Sequence, residues 1–153
     1  IRIEQRPMPP SYETLENADP SDIDAIDSGL EGYNQSEPEL QQVRRLVVVA
    51  RTGSKEVCGG ALGRTWGQCC ELQQLWVSDL YRGSGVGTRL IGEFEQEAKA
   101  RGCRLIYLDT FSFQARPFYE KHGYVVVLET SGFTKGIVKY TMHKRILLPE
   151  DDT

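Results

Sequence analysis

The sequence predicts an α/β chain of the α+β kind: a mixed, mostly antiparallel sheet flanked by helices, with one parallel pair inside it. Three observations carry this. Three strand-like runs, Arg45 to Arg51, Val57 to Thr65 and Cys70 to Val77, follow one another with short connections, as in an antiparallel meander. A single strand–helix–strand unit comes next, and a helical crossover makes the strands from Leu72 and from Arg104 parallel neighbours. Two further runs, Tyr124 to Glu129 and Lys139 to His143, close the chain as an antiparallel pair.

In chain order, Ser11 to Leu15 is expected as a first strand. Pro20-Ser21-Asp22 opens a helix with Asp19 or Ser21 as N-cap and with Ile23, Ile26 and Leu30 on one face, ended by Gly32 and the polar stretch 34–38. Thr52-Gly53-Ser54-Lys55 reads as a hairpin turn between the first two meander strands. The segment from Gly83 to Gly87 leads into a helix in which Val86, Leu90, Ile91, Phe94 and Ala98 recur at helical spacing. Gly102 closes that helix, with Lys99 and Arg101 in its last turn, where cations suit the dipole. A short helix is expected from about Gln114 to His122. Its Pro117 fits the first turn, where a missing N–H costs little, and Gly123 fits the C′ position. One domain over 11–147 is expected, with 1–10 and 148–153 as terminal extensions.

Composition narrows the function. With 153 residues, 26% charged and 39% hydrophobic, the chain suits a globular domain with a packed core. Its 18 basic and 22 acidic residues argue against a dedicated nucleic-acid or anionic-membrane binder. The longest apolar runs, Leu46 to Ala50 and Tyr124 to Leu128, have strand length only. Cys58, Cys69, Cys70 and Cys103 form no C-x-x-C pair and have no His at finger-like spacing. They read as reduced thiols acting as small hydrophobes, with no metal expected. A cytoplasmic location is the corresponding expectation.

Arg82-Gly83-Ser84-Gly85-Val86-Gly87-Thr88 is the most informative segment. Its glycines permit tight turning and close ligand approach, and the helix that starts there offers free N–H groups and a positive dipole end, suited to a pyrophosphate. A P-loop would need a Lys that is absent. A dinucleotide fingerprint would need a third glycine where Thr88 or Leu90 stands.

The same residues meet the pattern [QR]-x-x-G-x-[GA] and resemble the acetyl-CoA site of the GNAT N-acetyltransferases. Leu75-Trp76-Val77 resembles that family's hydrophobic fourth strand, and Tyr81 its aromatic before the motif; Asp79 stands where the family often has Pro. Ala115 and Phe118-Tyr119-Glu120-Lys121-His122-Gly123-Tyr124 resemble its second signature. Gly59 to Thr65 and Leu108 to Ala115 bring the chain nearest to a bacterial subgroup of uncharacterised substrate.

The resemblance implies a cofactor gap where the two parallel strands splay apart at the centre of the sheet. It implies that Leu75, Trp76 and Val77 hold the pantetheine arm through their backbone, like an added strand. Arg82, Gly83, Ser84, Gly85, Val86, Gly87 and Thr88 then cradle the pyrophosphate. A strand N–H near Leu75 or Val77 polarises the thioester carbonyl. Tyr119 matches the tyrosine that protonates the departing thiolate; outside the motif it reads as a core tyrosine beside Phe118. Glu71 is the candidate base, directly or through water, with Asp109 in reserve and at the substrate; either also reads as an ordinary strand-end or turn carboxylate. Ser112 stands where many relatives place an Asn that contacts the pantetheine arm, and is shorter. Lys135-Gly136-Ile137 replaces a His-containing turn of the subgroup. Tyr33 and Asn34, in a loop between the first helical segments, are expected to overhang the acceptor, or simply to end a helix. His122 and His143 read as a helix-end cation and a strand-face residue.

The expected activity is direct transfer of acetyl from acetyl-CoA to a primary amine of a small molecule or peptide, with no metal, nucleic acid or membrane partner. The alternative is a non-catalytic acyl-CoA-binding sensor of the same fold. Exposed strands at the end of the sheet allow pairing into a homodimer.

Overall fold

A computed structural model describes residues 7–149. By contact density the chain falls into two units, Ile1–Ser36 and Glu37–Thr153.

In the first unit the expected strand is not formed. Residues 11–15 have no regular structure and are exposed. Pro9 and Pro10 precede them, and no other strand is described in that unit to complete a ladder. Helix α1 (Pro20–Asn34) begins at its expected cap: the Asp19 carboxylate accepts from the Ser21 N–H at 2.9 Å and from its hydroxyl at 2.7 Å. The helix runs on through Gly32, which keeps a helical φ and so costs only about 1 kcal/mol. Tyr33 and Asn34 are therefore exposed residues of its last turn, not of a loop.

The second unit holds α2 (Pro38–Gln41), a turn of helix that the sequence reading passed over, and a six-stranded sheet in the order β1-β2-β3-β4-β6-β5. Its strands are β1 (Arg44–Arg51), β2 (Val57–Trp66), β3 (Cys69–Val77), β4 (Leu105–Phe111), β5 (Val125–Thr130) and β6 (Lys139–Arg145). All neighbours are antiparallel except β3 and β4, the expected parallel pair. Helix α3 (Val86–Ala100) crosses between them and buries Leu90, Ile91, Phe94 and Ala98. These meet Leu46, Ala61, Cys70, Leu72, Ile106, Leu108 and Met142 from one face of the sheet, as period-2 alternation requires. Gly102, at φ +80°, ends α3, and the Cys103 N–H returns to the Ala98 carbonyl at 3.0 Å. Helix α4 (Arg116–Lys121) follows β4 and carries Tyr119 into the core.

The β2–β3 hairpin turns on Gly67-Gln68, which pairs Trp66 with Cys69 and Arg64 with Glu71. Its register then slips: Gly63 faces Leu72 and Leu62 faces Gln74, leaving Gln73 as an extra residue, a β-bulge. Gly63 is the residue this slip demands. A Cβ there would lie 2.0 Å from the Glu71 carbonyl oxygen and 2.7 Å from the Phe94 ring. Gly63→Ala should lower stability by about 2–3 kcal/mol in urea denaturation. An unchanged denaturation midpoint would mean that the strands separate there at no cost.

Candidate active site

The parallel pair is joined only over Cys69 to Leu72 and Leu105 to Leu108. Beyond that, β3 continues to Val77 paired with β2 alone, and β4 continues to Phe111 paired with β6 alone. The two strands thus part at the bulge, and beyond it their facing edges no longer pair with each other. The Ser78 N–H donates to the Cys58 carbonyl on β2 at 2.8 Å. Strand alternation therefore turns the backbone groups of Trp76 toward β2 and those of Leu75 and Val77 toward the gap.

Past β3, the 3₁₀ turn Asp79–Tyr81 leads into the glycine loop. Gly83 and Gly85 adopt φ +73° and +87°, which side chains rarely tolerate, and a Cβ on either would meet open space. The result is an open concavity over the first turn of α3, where the N–H groups of Val86, Gly87 and Thr88 have no helical acceptor. The donor set and the space suit a pyrophosphate. The Ser84 hydroxyl donates to the Tyr81 carbonyl at 2.6 Å, which sets the turn. Arg82 folds back: its Nε donates to the Val77 carbonyl at 3.1 Å and its guanidinium pairs with Asp79 at 2.9 Å. Its side chain thus braces the loop.

A second turn delivers Tyr119. The Gln114 side-chain oxygen accepts from the Phe111 N–H at 2.8 Å, and the buried Thr110 hydroxyl lies 3.4 Å from both Gln114 and the Ala115 N–H. Helix α4 then lies against the first turn of α3. A Cβ on Gly87 would sit 3.5 Å from the Phe118 ring, and Thr88 Oγ1 is 3.3 Å from His122 Nε2. Gly123, at φ +89°, turns the chain out of α4, with the Tyr124 N–H bonded to the Tyr119 carbonyl at 3.0 Å. Tyr119 packs edge-on to Phe118 and Tyr124 and is 7% exposed, and burial pushes its phenol up to about 12. Its hydroxyl has no hydrogen-bond partner among the described residues. Among the described residues no fully buried side-chain polar atom is left unpaired, so that oxygen still reaches open space.

The other sheet face, away from α3, carries the two carboxylates. Glu71 Oε2 accepts from Arg64 Nε at 2.8 Å, while Oε1 has no partner among the described residues. Asp109 is exposed on the gap-lining part of β4 and accepts from the Thr141 hydroxyl at 2.6 Å. Tyr107 is the cross-strand partner of Glu71, two residues before Asp109 on β4, and its phenol is pushed up to about 12 by burial and then by the Glu71 charge. His143 lies edge-on to Tyr107, a strand-face position as expected.

Ser112 lies just past β4, but its hydroxyl is engaged by the Val138 N–H at 3.1 Å. Tyr33 and Asn34 belong to the other unit. The four cysteines are free thiols. Among the described residues no group of three or more His, Cys, Asp or Glu could hold a metal, and no helix is long and apolar enough to cross a membrane. The sequence reading assigned nothing to Arg64 or Gln73. Arg64 was reachable, because a two-residue turn at Gly67-Gln68 sets it opposite Glu71. The bulge carries no such local signal.

A mixed sheet parted at its one parallel pair, with a glycine-rich helix start at the opening, defines the acyl-CoA N-acyltransferase class of fold. The chain belongs to the acetyltransferase (GNAT) family, whose model matches residues 6–124. It is 32% identical over 103 residues to an acetyltransferase of Agrobacterium fabrum, covering 67% of this chain and 75% of that protein. It is 33% identical over 92 residues to the blasticidin-S acetyltransferase of Streptomyces morookaense, covering 60% of this chain and 68% of the relative. The crystal structure of an acetyltransferase from Bacillus cereus superposes with a TM-score of 0.77 at 32% identity, over 88% of this chain and 98% of that one.

Proposed function

We propose that the protein transfers acetyl from acetyl-CoA directly to a primary amine. The observation that carries this reading is the meeting of three features at one end of the sheet. They are the edge of Leu75 to Val77 that β4 does not pair, the open glycine cradle at the start of α3, and the buried Tyr119 on a helix that touches that start. In this reading Leu75, Trp76 and Val77 align the pantetheine arm, and the N–H groups from Gly83 to Thr88 hold the pyrophosphate. The Leu75 or Val77 N–H stabilises the negative charge that develops on the thioester oxygen as the amine nitrogen bonds to its carbon. Glu71 takes up the proton the amine must lose, directly or through water, and Asp109 draws the cationic amine to the gap. As the carbon–sulfur bond breaks, Tyr119 gives its phenolic proton to the sulfur, and the amine's proton ultimately restores it.

The test is thiol release from acetyl-CoA by the purified protein across a panel of primary amines. Amine-dependent release, with acetylated product found by mass spectrometry, is expected. Tight acetyl-CoA binding with no release on any amine would instead make the protein a binding module.

A further inference from the structure

One lateral row of side chains crosses the sheet face away from α3: Arg45, Arg64, Glu71, Tyr107 and His143 are successive cross-strand partners on β1, β2, β3, β4 and β6. The row lies one residue below the point where β3 and β4 part, and Asp109 stands on the same face two residues along β4. Arg64 is the member with unused chemistry. It spends only its Nε on Glu71, and neither terminal nitrogen has a partner among the described residues. Its guanidinium is also held in place, stacked 4.2 Å over the Trp66 ring, with the side chain 42% exposed. A guanidinium that is oriented, flat and open along one edge presents parallel donors matched to a carboxylate. Arg45 beside it adds positive potential.

We propose that Arg64 anchors a carboxylate on the acceptor, so that the amine acetylated here is one that also bears a carboxylate. This deepens the amine-acetylation reading and rests on it. The face then carries opposite charges in the order a zwitterion needs. Arg64 lies on β2, away from the gap, while the free Oε1 of Glu71 and the carboxylate of Asp109 lie toward it. A phosphate suits the anchor less well, because its second charge would face Glu71. Strands lie about 4.8 Å apart, and the gap opens past β3, one to two strands from Arg64. The amine and the carboxylate of the acceptor therefore stand roughly 5–10 Å apart, as in an ω-amino acid rather than an α-amino acid.

The experiment compares ω-amino acids from β-alanine to ε-aminocaproate, each beside its own carboxamide, by thiol release from acetyl-CoA. The acid should exceed its amide in kcat/KM by about tenfold or more, the worth of a charge-assisted pair. Arg64→Met keeps the alkyl stem over Trp66. It should raise KM for the acids about tenfold and erase the preference, with KM for acetyl-CoA and Tm unmoved; Arg64→Lys should restore part of it. Turnover on acids and amides alike in the natural protein overturns the inference and leaves amine acetylation standing. So does a loss of kcat in both Arg64 variants that is equal for acids and amides, since that marks Arg64 as only a brace for Glu71. Absence of thiol release on every amine overturns both readings.

Discussion

Gly85→Glu should abolish measurable acetyl-CoA binding while the protein still folds. Gly85 caps α3 at φ +87°, and nothing lies within 4 Å of where its Cβ would be, so the substitution meets no clash inside the protein. Its effect falls on the space above the helix start. A carboxylate there repels the pyrophosphate and competes for the N–H groups of Val86, Gly87 and Thr88. Loss of two charge-assisted hydrogen bonds, about 3 kcal/mol or more, corresponds to at least about 100-fold in Kd by calorimetry. The left-handed backbone adds roughly 1–2 kcal/mol of strain to the folded state. Gly85→Asn separates the two effects, because asparagine tolerates that conformation and carries no charge. It should keep Tm near that of the natural protein and lose far less affinity. Retained affinity in Gly85→Glu would refute the pyrophosphate assignment.

Tyr119→Phe should lower kcat by about 10²- to 10⁴-fold, with KM for acetyl-CoA nearly unchanged. The ring is buried among Phe118 and Tyr124, and phenylalanine preserves that packing. The lost hydroxyl has no partner among the described residues, so stability should barely move. Unaltered turnover would remove the proton-donating role. Burial raises the phenol from its ordinary value near 10 to about 12, so it remains a competent acid throughout the neutral and mildly alkaline range. A fall in kcat centred near pH ~10 that disappears in Tyr119→Phe would contradict this. The same shift has a stability consequence. A phenol whose folded pKa lies above its unfolded value contributes stability that is fully present below pH ~10 and is lost as pH rises toward about 12. Tyr107 shifts to about 12 as well, and Tyr124 is raised further by burial and by Glu95, which accepts its hydroxyl at 3.1 Å. Tm should therefore fall steeply over that interval.

Local chemistry explains which elements were legible. Asp19 before Pro20 marks a helix start because a cap acts within two residues. Gly102 and Gly123 mark helix ends because a left-handed φ is a property of one residue. Residues 11–15 failed as a strand because strand character needs a partner, which no single segment supplies. Tyr33 and Asn34 were misplaced because Gly32 can end a helix or lie within one, and its conformation depends on the hydrogen bonds around it.

The sequence by itself determined the order of the six sheet strands and of α1, α3 and α4, the single parallel pair, the glycine loop at the start of α3 and the two motifs that mark the family. All of these depend on residue periodicity or on backbone freedom over a few neighbours. Only the tertiary structure decided that β3 and β4 part at Leu72 and Leu108, that the Arg82 side chain turns back to Val77, and that the Ser112 hydroxyl is taken up by Val138. It also decided that the Arg64 guanidinium sits over the Trp66 ring and gives its Nε to Glu71. Each of these is a competition among several partners for one hydrogen bond or one face of the sheet. The winner is set by strand register and by a bulge that only a packed core can hold in place.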